Sequence, residues 1–105
     1  MKQKYNVYLP KDDLQLIDFF QRIAKKRPVK HYIIRVKNVY ISLLELISIL
    51  NNNKENITKF RKNKSLVLWL ESDFDQIPDF IPVAPTEEEA LDIIDFEEIE
   101  KDLMF

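Results

Sequence analysis

A chain of 105 residues, 46% of them hydrophobic and 32% charged, has the length and apolar content of one compact domain and too much apolar content for a disordered segment. It has no cysteine, which excludes disulfides and thiolate metal sites, and no glycine, which argues against the Gly-rich phosphate loops of nucleotide-binding folds. The formal net charge of -2 is unevenly distributed: residues 1–85 carry 15 Lys and Arg against 9 Asp and Glu, whereas residues 86–105 carry 1 against 9. The acidic C-terminal segment can therefore fold back on a mildly basic body or contact a basic partner.

Strand and helix patterns alternate in the first third of the chain. Residues 5–9 alternate apolar and polar side chains, which predicts a short strand that Pro10 ends. Residues 11–26 carry apolar side chains at helical spacing, with acids in the first turn and lysines in the last, as the helix dipole favours. Pro28 ends this helix, and residues 30–36 are typical of a largely buried strand.

A second helix is predicted over residues 42–53. Ser42 can cap the free amides of its first turn while Glu45, three residues on, reaches back, which is the S-x-x-E capping box. The asparagines at its end weaken the helix, although the apolar pattern can continue through Ile57 and Phe60.

The remaining elements complete an α/β pattern. Residues 65–72 have almost no polar interruption, as expected of a central strand covered on both faces. The prolines in residues 78–85 place a short fourth strand at a sheet edge, and Thr86 with Glu89 forms a second capping box that opens the final helix. We therefore predict a single small α/β domain over residues 1–105, with a mainly parallel four-stranded sheet and helices packed on it through right-handed crossovers.

Ligands and partners of such sheets usually meet the carboxyl ends of the strands. This predicts a partner-binding rim after the second strand, formed by Lys37, Asn38, Tyr40, Ser42 and Glu45. After the third strand, Glu71, Asp73 and Asp75 could supply oxygen ligands to a divalent cation, but we favour a role in ending the strand and starting a turn. We predict no metal and no cofactor.

Two other functions have candidate residues. His31 is the one histidine of the chain, so histidine-based catalysis or a histidine metal cluster would depend on a single residue at the start of a strand. We expect a structural role for it and no enzymatic activity. The basic cluster Lys59–Lys64 surrounds Phe60, a pattern that can bind phosphates and stack on bases, whereas the pI of about 5.4 and the acidic tail oppose nucleic-acid binding. Nucleic-acid association is thus the alternative function.

Several stretches resemble one known family. The strand and Leu-rich helix of residues 32–50, the strand of residues 65–72 and the strand and helix of residues 80–94 are similar to STAS domains, the fold of bacterial anti-sigma factor antagonists. The tail Glu97–Leu103 fits an E-x-I-E-x-D-L pattern of small bacterial STAS-like proteins. The resemblance implies a bacterial regulatory protein that binds an anti-sigma factor or a kinase-like regulator.

The resemblance also has departures. Phosphorylated members carry Asp-Ser-Ser-Gly at the helix start, whereas this chain has Tyr40, Ile41, Ser42 and Leu43, so that Ser42 alone matches the phosphorylated position. One strand precedes the first helix, where the family commonly has two. Of the family's phosphorylation motif, only the serine carries over to this chain, so the resemblance by itself does not imply kinase control.

The last helix has two apolar faces. At 100° per residue, Ala90, Leu91 and Ile94 group on one side, and a second group lies roughly opposite. Either the chain bends near Asp95, or the second group packs on another molecule, and we predict the latter. The tail of residues 96–105 is then a partner or homodimer contact. Its contact residues are predicted to be Phe96, Ile99, Leu103, Met104 and Phe105.

The sequence also bears on where the protein acts. No apolar run reaches the roughly 18 residues that a membrane span needs, and the first residues lack the apolar centre of a signal peptide. We therefore expect a cytoplasmic protein with no membrane association.

Overall fold

One sheet of four parallel strands forms the centre of the molecule. A computed structural model describes residues 4–103. Its strands are β1 (Tyr5–Tyr8), β2 (His31–Arg35), β3 (Leu66–Trp69) and β4 (Val83–Ala84). Its α-helices are α1 (Asp13–Ile23), α2 (Leu43–Asn52), α3 (Lys54–Arg61) and α4 (Glu87–Leu103). A single 3-10 turn, Phe74–Gln76, lies between β3 and β4.

The strands follow one another across the sheet in chain order. Each neighbouring pair is parallel: His31 of β2 is the partner of Tyr5, Leu66 of β3 is the partner of Tyr32, and Val83 of β4 is the partner of Leu68. This confirms the predicted α/β fold class with a parallel four-stranded sheet. The short strand β4 lies at an edge of the sheet, as its flanking prolines predict.

Helices cover both faces of the sheet. Side chains of consecutive strand residues point to opposite faces, so Ile34 and Leu68 belong to the core under α1, α2 and α3, whereas Ile33 and Val67 belong to the core under α4. All four are fully buried. This explains why the two central strands are apolar without interruption.

The long connection from β2 to β3 contains two helices. α2 ends at Asn52, and α3 begins at Lys54. Asn53 lies between them with its side-chain amide donating to the carbonyl of Ile49 at 2.8 Å, and it is buried. The apolar pattern that continues to Ile57 and Phe60 therefore belongs to a separate helix, with both side chains in the core.

The connection from β3 to β4 turns without glycine. Asp73 adopts the left-handed conformation, with φ of 62°, and it is the one non-glycine residue with positive φ in the part of the chain that the structure describes. Aspartate tolerates this conformation better than most residues. Ile77 and Ile81 beyond it are buried in the core under α1 to α3, which fixes the loop to that face.

Candidate functional site

The predicted rim after β2 is a tight, anchored loop. The amides of Tyr40 and Ile41 both donate to the carbonyl of Lys37, at 2.9 and 3.1 Å, and the Ile41 side chain is fully buried. The amide of Val36 donates to the carbonyl of Trp69 and continues the β2–β3 pairing to the start of the loop. The loop therefore has a fixed position, and its exposed side chains project from the carboxyl edge of the sheet.

Ser42 caps α2, as the sequence predicts. Its hydroxyl oxygen accepts a hydrogen bond from the amide of Glu45 at 3.2 Å, which satisfies one free donor of the first turn. The same hydroxyl donates to the Glu45 carboxylate at 3.0 Å. In the standard capping box, the glutamate carboxylate accepts from the backbone amide of the cap residue. Here the Glu45 carboxylate accepts from the hydroxyl of Ser42 instead.

Exposed apolar side chains surround this cap. Val39 and Leu44 are each 81% exposed, and the ring of Tyr40 is exposed with the Lys11 ammonium 5.2 Å from its centroid. We call the surface formed by Lys37, Asn38, Val39, Tyr40, Ser42, Leu44 and Glu45 the rim patch. Val39 and Leu44 were missed from the sequence because an apolar residue beside a buried strand or helix is usually part of the core.

The acidic group after β3 serves the local structure. Glu71 accepts a hydrogen bond from the guanidinium of Arg35 at 3.2 Å, and that guanidinium lies 3.8 Å from the centre of the Trp69 ring. The Ser72 hydroxyl donates to the Asp73 carboxylate at 3.1 Å, beside the left-handed turn. Within residues 4–103, no three acidic, histidine or cysteine side chains come close enough together to hold a metal ion.

The C-terminal helix presents a row of apolar side chains to solvent. α4 continues unbroken through Asp95, with Ala90 and Ile94 fully buried against the sheet. On its other side, Phe96 is 63% exposed, Ile99 58% and Leu103 80%. We call these three residues the outer row. Of the two arrangements considered from the sequence, the bend near Asp95 is absent from α4, while Met104 and Phe105 lie outside the described residues.

Polar contacts hold the second half of α4 on the amino edge of the sheet. Lys4 pairs with both Asp95 and Glu98, the second at 2.8 Å. Further along, Glu97 accepts from the Arg61 guanidinium at 2.7 Å and from the Ser65 hydroxyl at 2.6 Å. We call these contacts, together with the His31–Glu98 contact, the α4 anchors. They fix the helix, so the outer row faces solvent on a rigid support.

His31, at the start of β2, is buried and contacts both Ser65 and α4. Its ring is buried, with Nδ1 accepting from the amide of Ser65 at 2.8 Å and Nε2 lying 3.0 Å from the Glu98 carboxylate. Burial lowers the pKa of His31, although Glu98 opposes that shift. Hydrogen bonds from Lys4 and then His31 lower the pKa of Glu98, and the hydrogen bond to Asp95 is the main cause of the raised pKa of Lys4.

The fold joins two basic segments that are distant in sequence. Lys25, Lys26 and Arg27, after α1, line a hollow at the amino edge of the sheet together with Lys59 of α3. The predicted stacking of bases depends on the ring of Phe60. This ring is only 3% exposed and packs in the core. The ring is therefore not available to a base, and the basic cluster keeps only its cations.

The predicted site residues that lie within residues 4–103 thus fall on two separate surfaces. The rim patch lies at the carboxyl edge of the sheet, and the outer row lies on α4, whose second half is anchored at the amino edge. The two basic segments each precede a strand of the same parallel sheet, so the predicted sheet already places both of them at its amino edge.

Comparison of the chain with protein-family models, with curated proteins and with solved structures found no significant match. None of the helices in residues 4–103 has the length and apolar character needed to cross a bilayer.

Proposed function

We propose that this protein is a non-catalytic, regulatory protein–protein interaction module similar to the anti-sigma factor antagonists. The observation that carries the proposal is the outer row: three large apolar side chains at positions i, i+3 and i+7 of one helix are exposed while the helix itself is anchored. Helices that bind in a groove of a partner present anchors at this spacing, and exposed apolar patches mark interaction surfaces. The acids around the row would steer encounter with a basic partner.

The rim patch is the second proposed contact surface. Its loop is fixed by Ile41, and Val39, Tyr40 and Leu44 offer apolar area next to the Lys37 cation. Fixed loops that carry exposed apolar and charged side chains are well suited to recognition because little entropy is lost on binding. The proposed partner of this surface is an anti-sigma factor or kinase-like regulator, the kind of partner that the family resemblance implies.

Ser42 links the rim patch to regulation in this proposal. A phosphate on its hydroxyl would lie at the start of α2, where the free amides favour an anion. It would also lie next to the Glu45 carboxylate, now 3.0 Å from that hydroxyl, and would add up to two negative charges to the rim patch. We expect such a modification to weaken binding of an acidic partner surface at the rim patch.

The proposal is tested by removing the apolar character of the outer row. The variant carries Phe96→Ser, Ile99→Ser and Leu103→Ser, which leave the α4 anchors in place. In a quantitative pull-down from source-cell lysate, we expect the wild-type protein to capture a partner that the variant loses, because the anchors of the contact are gone.

The matched control is Val7→Ser, which removes an exposed apolar side chain from the edge strand β1. It should capture the same partner as the wild type. If the wild type and the triple variant capture the same proteins in equal amounts, and both are monomeric, the outer row has no binding role and the proposal fails.

A further inference from the structure

A basic groove with an apolar floor lies at the amino edge of the sheet. Its cavity is about 300 Å³, and it is formed by the end of α1, the segment that leads into β2, and α3. The floor is formed by Ile23 and Tyr32, which are partly exposed, and by the nearly buried rings of Phe19 and Phe60; the walls are formed by Arg22, Lys25, Lys26, Arg27, Pro28 and Val29. A smaller hollow beside it, of about 270 Å³, adds Lys59 and Asn63. We call both together the basic groove.

The charges of the basic groove are not neutralised by the described part of the chain. No acidic side chain lines either hollow. Arg22 pairs with Asp18 at 2.8 Å, whereas Lys25, Lys26, Arg27 and Lys59 have no ion-pair partner within 4.0 Å among residues 4–103. An occupant with apolar anchors and acidic neighbours would therefore match the groove in both polarity and charge.

The outer row of α4 has this chemistry. The acids next to it on the helix are Asp92, Glu100 and Asp102, all exposed and without an ion pair inside the described range. Residues 86–105 carry 1 basic against 9 acidic residues, a net charge of -8, and residues 1–85 carry 15 against 9, a net charge of +6. The two surfaces are complementary within one sequence.

The outer row cannot reach the basic groove of its own chain. The groove opens on the sheet face that α1 and α3 cover, because its floor residues belong to that core. α4 packs on the opposite face through Ala90 and Ile94, and the α4 anchors hold its second half there. Contact between the two surfaces therefore requires a second molecule.

We infer that the outer row of one copy docks in the basic groove of a second copy, in a head-to-tail contact. This rests on the proposed binding role of the outer row and assigns its partner. Because the two patches differ, the contact is heterologous, and each added copy leaves one row and one groove free. The protein then grows into longer oligomers, or into a closed ring, as its concentration rises.

Two complementary variants test the inference. The groove variant carries Lys25→Glu and Arg27→Glu, and the row variant carries Phe96→Ser, Ile99→Ser and Leu103→Ser; all five side chains are exposed, so both variants should fold. The mass of each is measured by light scattering over a range of concentration. The wild type should rise well above the 12.6 kDa monomer, whereas each variant alone should stay near it.

Mixing the two variants is the decisive measurement. The groove variant keeps a normal row and the row variant keeps a normal groove, so an equimolar mixture should form pairs of about twice 12.6 kDa and stop there. The control variant carries Lys11→Glu and Lys54→Glu, which change the net charge by the same amount as the groove variant. Both positions lie outside the groove, so this variant should associate as the wild type does. Rising salt should reduce the wild-type mass because opposite charges attract across the contact.

The outcomes that overturn the inference are distinct. If the groove variant self-associates like the wild type, the rows pair with each other and the groove is not involved. If the wild type stays monomeric at the highest soluble concentration, there is no head-to-tail contact. The proposed function is then supported only if the row variant fails to capture a protein that the wild type captures in the pull-down. If the groove variant instead loses salt-dependent binding of an oligonucleotide by a monomeric wild type, the groove serves nucleic acid.

Discussion

The imidazole of His31 makes two hydrogen bonds that require one ring nitrogen to be protonated and the other to be unprotonated. Nδ1 accepts from the Ser65 amide, so it carries no proton, and the proton on Nε2 is donated toward Glu98. A second proton could enter only at Nδ1, where it would meet the amide hydrogen of Ser65. This geometry and the burial of the ring act in the same direction, and the pKa of His31 is lowered.

Protonation of His31 should therefore make folding stability depend on pH. In the unfolded chain, His31 takes up a proton near pH 6.5, its ordinary pKa, which is higher than its lowered pKa in the folded state. The contribution of neutral His31 to the free energy of unfolding is therefore complete above pH 6.5. It is lost as the pH falls from 6.5 through the pKa of the folded state. We expect the urea midpoint of the wild type to drop as the pH falls below about 6.5, and to stop dropping once the pH is below the lowered pKa of the folded state.

The variant His31→Gln should show a smaller drop over the same interval, since glutamine does not titrate. Glu98, whose pKa is lowered from 4.5, titrates below this window and does not obscure the comparison. Equal pH dependence in the two proteins would mean that His31 is not the titrating group.

Ser42 allows a separate test at the residue scale. Ser42→Ala removes the acceptor for the Glu45 amide and should lower the free energy of unfolding by about 1 kcal/mol. Ser42→Asp keeps an acceptor at the cap position and should lose less. Urea unfolding of the three proteins measures the difference; if Ser42→Ala is as stable as the wild type, the cap does not contribute.

Among the elements, α4 combines a supporting role and an exposed surface on one helix. Its sheet-facing side chains and the α4 anchors belong to folding, whereas each side chain of the outer row is more than half exposed. The helical projection of the sequence predicted this division, because the spacing of Ile94, Phe96 and Ile99 places them on different sides. The anchors could not be predicted, since Lys4, Arg61 and the acids of α4 are far apart in sequence.

Truncation after Asp95 should consequently destabilise the fold as well as remove the row. It deletes Glu97 and Glu98, the acceptors for Arg61, Ser65 and His31. Hydrogen bonds to charged groups contribute roughly 1.5 to 3 kcal/mol each, so we expect the truncated protein to lose more than about 2 kcal/mol.

The row variant Phe96→Ser, Ile99→Ser, Leu103→Ser keeps these acceptors and should melt near the wild-type temperature. Thermal unfolding followed by circular dichroism compares the three proteins. Equal melting of the truncated and full-length proteins would contradict a supporting role for the α4 anchors.

For the whole molecule, the alternation of strand and helix patterns was sufficient to predict the sheet. Apolar strands at residues 30–36 and 65–72 required cover on both faces, and the structure supplies α1 to α3 on one face and α4 on the other. Which helix covers which face could not be predicted, because apolar side chains in sequence do not identify their partners. The sequence left open whether the second helix ends at its asparagines or continues to Phe60, because the hydrogen bond from Asn53 to Ile49 that marks the end is visible only in the structure.

The absence of glycine has a consequence for the unfolded chain. Glycine has the largest freedom of backbone rotation, so a chain without it has fewer unfolded conformations to give up when it folds. The absence of glycine also has a cost in the folded state. The turn after β3 needs a left-handed backbone conformation, and an aspartate, Asp73, must adopt it. The lower entropy of the unfolded chain thus favours folding, while among residues 4–103 the left-handed backbone conformation that glycine would adopt most easily falls on Asp73 alone.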